Sequence, residues 1–339
     1  MSTPDHKMTK AGWIPEDWEV VKASSIGKFR GGNGFPVEFQ EQTLGDYPFF
    51  KVSDMNIIGN EVFMKTANNY ISESVRKHLG AYAFPPKTIV FAKVGAAVFL
   101  ERKKILTIAS CLDNNMAGFI TEPEKVDHHF IYFFLLNFLL GNLVSTSALP
   151  ALNASILNGI KIPLPPLPEQ IEIARILSQW DDAIRDTTQL IAAKTRLKRA
   201  LMQQLLTGKL RFREFSSTQW KTYRLGELFA ERVETNRLDL PLLSITANRG
   251  VVRRSDVEGK DNSSEDKRKY LRIAPGDIGY NTMRMWQGVS AVSRLEGIVS
   301  PAYTICIPSE LIEANFAGYS FTGLMPRRLR RYFRGSRLC

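Results

Sequence analysis

The sequence predicts a mixed α/β protein, with two similar globular domains joined by one long helix of the coiled-coil type. Three observations lead there. A set of short segments occurs twice, in the same order. A 39-residue stretch between the two copies, Glu169 to Thr207, contains neither proline nor glycine. The 339 residues are 44% hydrophobic, enough for two ordinary cores and far above a disordered chain.

The repeat opens with Trp18-Glu-Val-Val-Lys-Ala-Ser-Ser-Ile-Gly-Lys-Phe29 and Trp220-Lys-Thr-Tyr-Arg-Leu-Gly-Glu-Leu-Phe229. Each has an extended stretch after the Trp and then a short helical turn. Next come two β-prone runs, Pro48 to Asp54 and Pro241 to Ala247. Pro86 to Phe91 then matches Pro275 to Tyr280, where Pro275-Gly-Asp277 reads as a turn opening a buried strand. Asn114 to Ile120 matches Ser300 to Cys306, and Asp127 to Phe130 matches Glu313 to Phe316, each leading into a helix. The offset falls from 202 at the Trp pair to 193, 189 and 186 as loops differ, while the order never changes. Five pairs in order imply a duplicated domain. The expected limits are 1–164 for the first domain, 165–212 for the helical spacer and 213–339 for the second domain.

Pro163-Leu-Pro-Pro-Leu-Pro168 is extended, because proline fixes φ and disfavours helix in the residue before it. Pro168 suits the first turn of a helix, and Glu169 suits its positive end. Gly208, flanked by Lys209, is the stop signal. Ile173, Leu177, Trp180, Ile184, Leu190, Ile191, Leu197, Leu201 and Leu205 recur mostly at spacings of three and four, which makes one apolar seam. Such a helix is roughly 60 Å long at 1.5 Å per residue. It is too long for the core of one small domain and calls for a partner helix.

Lys and Arg number 45 against 34 acidic residues, a net charge of +11. That surplus favours a polyanionic partner, since each phosphate contacted by a cation releases condensed counterions. Cys111, Cys306 and Cys339 lie far apart with no CxxC or Cys/His cluster, which argues against zinc and against a disulfide framework and fits a reducing cytoplasm. The N-terminus lacks the apolar core of a signal peptide. The run Phe130 to Leu140 is too short to span a bilayer and reads as a buried helix.

Few residues suggest catalysis. Thr207-Gly-Lys209 continues with Leu210, so a phosphate loop's hydroxyl is missing. No GxSxG elbow, zinc-binding HExxH or amino-methyltransferase Asn-Pro-Pro-Tyr motif occurs. Gly31-Gly-Asn-Gly34 reads as a flexible loop rather than a phosphate cradle. His128-His129 read as a helix start, not as metal ligands, and Asp181-Asp182 as a solvated helix face.

The span from Leu164-Pro-Pro-Leu-Pro-Glu-Gln-Ile-Glu-Ile-Ala174 to Leu201-Met-Gln-Gln-Leu-Leu-Thr-Gly-Lys-Leu210 closely resembles the central region of type I restriction-modification specificity subunits. Gly12 to Trp18 and Tyr280-Asn-Thr-Met-Arg-Met-Trp-Gln-Gly288 resemble that family too. The resemblance implies two target recognition domains, each reading half of a split site on double-stranded DNA. It also implies spacer helices that dock methyltransferase (M) subunits, with a restriction (R) subunit joining the complete assembly. The chain itself would catalyse nothing and hold no cofactor; S-adenosylmethionine, ATP and Mg²⁺ would belong to its partners. In the family a second long helix follows the second domain. Here the second copy stops short of it, so the second domain is expected to be C-terminally incomplete. A frameshifted or truncated gene, a designed form and a natural short form all remain open. An antiparallel homodimer through the spacer helix is one way to supply the missing helix. A protein-binding coiled-coil adaptor, an inactive truncated specificity subunit and an enzyme with a site between two domains are the rival readings.

Arg and Lys pair bidentately with guanine, Asn and Gln with adenine, and either kind holds phosphates. The candidates are Lys28, Arg30, Lys51, Asn68, Asn69 and Lys93 in the first domain. In the second they are Asn248, Arg249, Arg253, Arg254, Asn281, Arg284 and Gln287. Lys93 and the segment from Asn281 to Gly288 are favoured, because they follow equivalent predicted strands. The polar run Lys260 to Lys269 reads as a mobile loop, and the Arg-rich tail from Pro326 to Arg337 adds to the positive charge.

Overall fold

A computed structural model describes residues 5–9, 12–144, 150–246, 248–259, 263–282 and 289–323. The chain divides into two compact units, Met1–Thr187 and Thr188–Cys339. The division falls inside a single 39-residue helix, Leu167–Leu205.

Unit 1 is built on a mixed sheet. Its strands are β1 (Gly27–Gly31), β2 (Ile89–Ala92), β3 (Lys103–Leu106) and β4 (Met116–Thr121), in the order β1-β4-β2-β3, with Phe63–Met64 at the far edge. β4 is antiparallel to both β1 and β2. Period-two alternation divides each strand between two cores. Ile89, Phe91 and Phe119 face the helix α1 (His128–Asn137), with Ile131 and Leu135 opposite them. Val90 and Met116 face Phe50, Met64, Phe84 and Leu112 on the other side. α1 starts where the sequence places it: the Asp127 carboxylate accepts a hydrogen bond from the Phe130 N–H at 2.9 Å, the usual N-cap bond.

Unit 2 repeats this plan with β5 (Phe229–Glu231), β6 (Ile278–Asn281), β7 (Ser290–Val292) and β8 (Tyr303–Pro308), in the order β5-β8-β6-β7. The helix α3 (Ala314–Gly323) follows β8, as α1 follows β4. Glu313 accepts from the Phe316 N–H at 2.7 Å, as Asp127 does from that of Phe130. The opening tryptophans repeat as well. Trp18 meets Phe130 edge-on at 6.5 Å, and Trp220 meets Phe316 edge-on at 6.4 Å.

Strand register corrects the residue pairing read from the sequence. Phe119 lies opposite Ile89, and Cys306 opposite Ile278. At the edge, Phe119 lies opposite Phe29, and Cys306 opposite Glu231. The 202 offset of the tryptophans therefore runs on through the edge strand, and Phe229 corresponds to Gly27 rather than to Phe29. A size exchange explains the change. A side chain at Gly27 would collide with the Phe119 ring. In unit 2 the bulk sits on the edge strand as Phe229 and the central strand carries the small Cys306, both in one core. The large ring thus changes strands between the two copies, and each core keeps one ring at this crossing.

The long helix, α2 (Leu167–Leu205), starts one residue before Pro168 and ends two before Thr207. The Gly208 N–H then closes a turn onto Leu205 with φ of 69°, the left-handed conformation expected of a terminating glycine. Gly31-Gly-Asn-Gly34 is not the flexible loop the sequence suggested. Gly31 ends β1, and Gly32 and Asn33 donate to the carbonyls of Met116 and Leu112. A Cβ at Gly32 would strike the Leu112 and Asp113 backbone, so glycine is needed there for close approach. Among the described residues no helix is long and apolar enough to cross a membrane.

Candidate nucleic-acid interface

Lys28 and Arg30 alternate on edge strand β1 and are both exposed on one face. Arg30 lies opposite Gly118, which leaves room beside it for aromatic rings. The guanidinium carbon of Arg30 sits 3.8 Å from the centre of the Tyr82 ring, well inside cation–π range. Tyr82 packs edge-on against the buried Phe84 at 5.0 Å. Its N–H donates to Asn33 Oδ1 at 3.0 Å, while Asn33 Nδ2 donates to the Gly80 carbonyl at 3.2 Å. Lys93, just past β2, lays its ammonium where a side chain at Gly31 would stand. The structure thus puts Lys28 and Arg30 on one face of the edge strand, with the Lys93 ammonium against the other face at Gly31.

The other candidates of unit 1 are tied into the scaffold. Asn69 is buried, and its Oδ1 accepts from the Glu41 N–H. Asn68 donates to the buried Asp54 at 2.6 Å. Burial outweighs that bond and raises the Asp54 carboxyl above its ordinary range. Lys51 donates to Gln40 Oε1 at 2.9 Å.

In unit 2, Asn248 and Arg249 occupy the turn of a hairpin, Leu243–Thr246 paired with Gly250–Arg253. Arg249 donates to the Asp256 carbonyl, and Arg254 to those of Val257 and Gly259. Arg253 is exposed at the strand end. Asn281 closes β6, half-buried. Arg284 and Gln287, and the Arg-rich tail, lie outside the described residues.

Register equates Arg30 with Arg232, and Thr88 with Asp277. Arg232 is held by both oxygens of Asp277, at 2.7 and 3.1 Å, and Asp277 is only 2% exposed. Among the described residues, Arg30 forms no ion pair. One arginine is neutralised inside its domain; the other keeps its charge at the surface. Neither Tyr82 nor Asn33 was singled out in the sequence.

Asp127, His128 and His129 bring one possible metal-ligand atom each within 4.8 Å of one another. They stand at the positive end of α1, and Asp127 is already spent as its cap. Burial lowers the pKa of His128 to about 4, aided by His129 and Lys87.

Along α2, Trp180, Ile184, Ile191 and Leu197 are each more than half exposed, and Leu177 and Leu201 are 40% exposed. Ile173 packs on the unit 1 core, and Leu205 is half-buried. Ile173 and Leu177 also line an apolar groove of about 440 Å³ with Trp18, Phe130, Phe133 and Phe138.

The profile of the type I restriction modification DNA specificity domain matches residues 15–194, just over half of the chain. The chain belongs to that family. The type I restriction enzyme MjaVIII specificity subunit of Methanocaldococcus jannaschii is 27% identical over 218 residues, 63% of this chain and 47% of that protein. The MjaIX specificity subunit of the same organism is 27% identical over 188 residues, 54% of this chain and 42% of that protein. The chain spans about half the length of the curated relatives it matches. The crystal structure of the S subunit of a type I system from M. genitalium has the same fold, with a TM-score of 0.57 at 15% identity, covering 98% of this chain and 82% of that one.

Proposed function

We propose that this protein is the DNA sequence-specificity subunit of a type I restriction-modification complex and reads a bipartite site. The observation that carries the reading is the duplication. One scaffold occurs twice, with the same strand order and the same Trp–Phe pair, and a long helix lies between the copies. Such a device suits two short sequences at a fixed separation. The domain limits remain 1–164, 165–212 and 213–339. DNA contacts are assigned to Lys28, Arg30, Lys51, Asn68, Lys93, Asn248, Arg249, Arg253, Arg254, Asn281, Arg284 and Gln287, with Asn69 left out because it is buried.

The exposed seam from Leu177 to Leu201 is assigned to docking of methyltransferase subunits, with the restriction subunit joining that assembly, or to a second copy of this chain in an antiparallel homodimer. The chain is non-catalytic in this reading and acts in the cytoplasm. The test is methylation-site mapping by long-read sequencing in cells that express the chain with a matching methyltransferase subunit. A split motif with two different halves is the expected result. A palindromic split motif assigns the seam to a homodimer that uses one domain twice. Sequence-independent methylation refutes the reading.

A further inference from the structure

We propose that Arg30 is a DNA-contacting residue held ready by Tyr82, which acts as its positioning residue, with Asn33 as the brace. This rests on the DNA-reading function above and names one contact within it. The argument starts from the comparison between the two copies. An arginine whose task is to hold a fold together has a carboxylate, as Arg232 has Asp277. At the equivalent place in unit 1 stands Thr88, which cannot neutralise a guanidinium. Arg30 is exposed and is supported instead by a ring face. An aromatic face fixes the plane of a guanidinium without consuming its N–H groups, so the donor fork stays open to solvent.

The support behind Arg30 is continuous. Tyr82 abuts Phe84, and Phe84 exchanges backbone hydrogen bonds with Ser110 in both directions. Asn33 ties the Gly80–Tyr82 segment to the end of β1 through both its side-chain atoms. A long side chain on an edge strand ordinarily samples several rotamers, and that entropy is lost on binding. Here the loss is taken in the free protein. A planar, preset fork matches two coplanar acceptor atoms, which on DNA means the O6/N7 edge of guanine or two oxygens of one phosphate.

The test measures binding of the full chain to a 40-base-pair duplex that carries the mapped methylation motif, by fluorescence anisotropy, over 50 to 200 mM salt. Arg30→Ala is expected to weaken binding about tenfold. Tyr82→Leu keeps apolar bulk under Arg30 but removes the ring, and is expected to cost about threefold. Tyr82→Phe keeps the ring and should bind like the wild type. In an Arg30→Ala background, Tyr82→Leu should cost nothing further. Thermal melts of each variant establish that it is folded. The salt slope separates the two acceptors. A phosphate contact lowers it by about 1 on loss of Arg30, whereas a guanine contact leaves it unchanged and relaxes one position of the mapped methylation motif. Unchanged binding by Arg30→Ala, or an equal loss from Tyr82→Leu with Arg30 absent, overturns the inference while leaving the functional reading intact. Absence of salt-dependent binding by the wild-type chain overturns the functional reading, and this contact with it.

Discussion

Acid should weaken unit 1 through a single imidazole. His128 opens α1 with its side chain only 16% exposed. Burial is the main cause that lowers its pKa from 6.5 to about 4; His129 and Lys87 push the same way, and Asp127 opposes them. The unfolded chain therefore takes up a proton that the folded chain refuses. The associated stability is complete above about pH 6.5 and is lost as pH falls from there towards 4. Linkage between those two values puts the loss near 2 kcal/mol on going from pH 7 to pH 5. With a urea dependence of about 2 kcal/mol per molar, the midpoint of unit 1 should fall by about 1 M. The assay is urea unfolding of wild type and His128→Gln at both pH values. Carboxylates titrate in both proteins, so the difference between their pH responses is the observable. Glutamine cannot take the proton, and its midpoint should fall by about 1 M less than that of the wild type. Equal falls in the two proteins would refute the reasoning.

Three further outcomes follow from the packing. Leu197→Glu with Leu201→Glu should leave the thermal stability of the isolated chain nearly unchanged, because the two side chains are 51% and 40% exposed. If the seam docks a methyltransferase subunit as proposed, the same pair should weaken that assembly by about 2 kcal/mol, or roughly 30-fold, in sedimentation or pull-down. Asp277→Ala should cost about 1–3 kcal/mol in chemical denaturation by removing both of its hydrogen bonds to Arg232 and leaving Glu234, 3.5 Å from the guanidinium, as the remaining carboxylate, whereas Arg30→Ala should cost less than about 0.5 kcal/mol. Gly27→Phe should destabilise unit 1 by about 3 kcal/mol through overpacking against Phe119. Adding Phe119→Cys should recover part of that loss, which stability curves of the single and double variants would reveal.

The parts of the fold that were legible are those written in local signals. The long helix showed in a seam without proline or glycine and in Gly208, which closes its last turn. The start of α1 showed in Asp127 followed by an apolar run. Duplication showed in the order of segments, but register did not. Two phenylalanines, Phe29 and Phe229, look equivalent in sequence, and the exchange of bulk between Gly27–Phe119 and Phe229–Cys306 appears only when strands pair. The candidate site follows the same rule. Arg30 was visible as a cation on a predicted strand. Its partner Tyr82 is 52 positions away, and no periodicity joins them. Asn69 has the donor and acceptor set of an adenine reader, but the fold turns it inward to hold Glu41.

If the chain reads DNA as proposed, the two copies differ where a duplicated reader should differ. What repeats is the scaffold: strand order, acid-capped helix, Trp–Phe contact. What changes is the chemistry at equivalent positions. Arg30 and Thr88 in unit 1 correspond to Arg232 and Asp277 in unit 2, and Tyr82 corresponds to Leu271, since Phe84 pairs with Ser110 as Ile273 pairs with Gly297. The first set exposes a cation on a ring; the second pairs it with a buried carboxylate. Unit 2 has its own exposed cation, Arg253, at the end of a hairpin strand, Gly250–Arg253. If both domains met DNA through the same surface atoms, they would read the same half-site, and a palindrome would follow. Because the exposed donors stand on different elements in the two units, an asymmetric site is the expectation for a single chain with its partners. A palindrome would require that one domain act twice, and therefore that two chains share one complex.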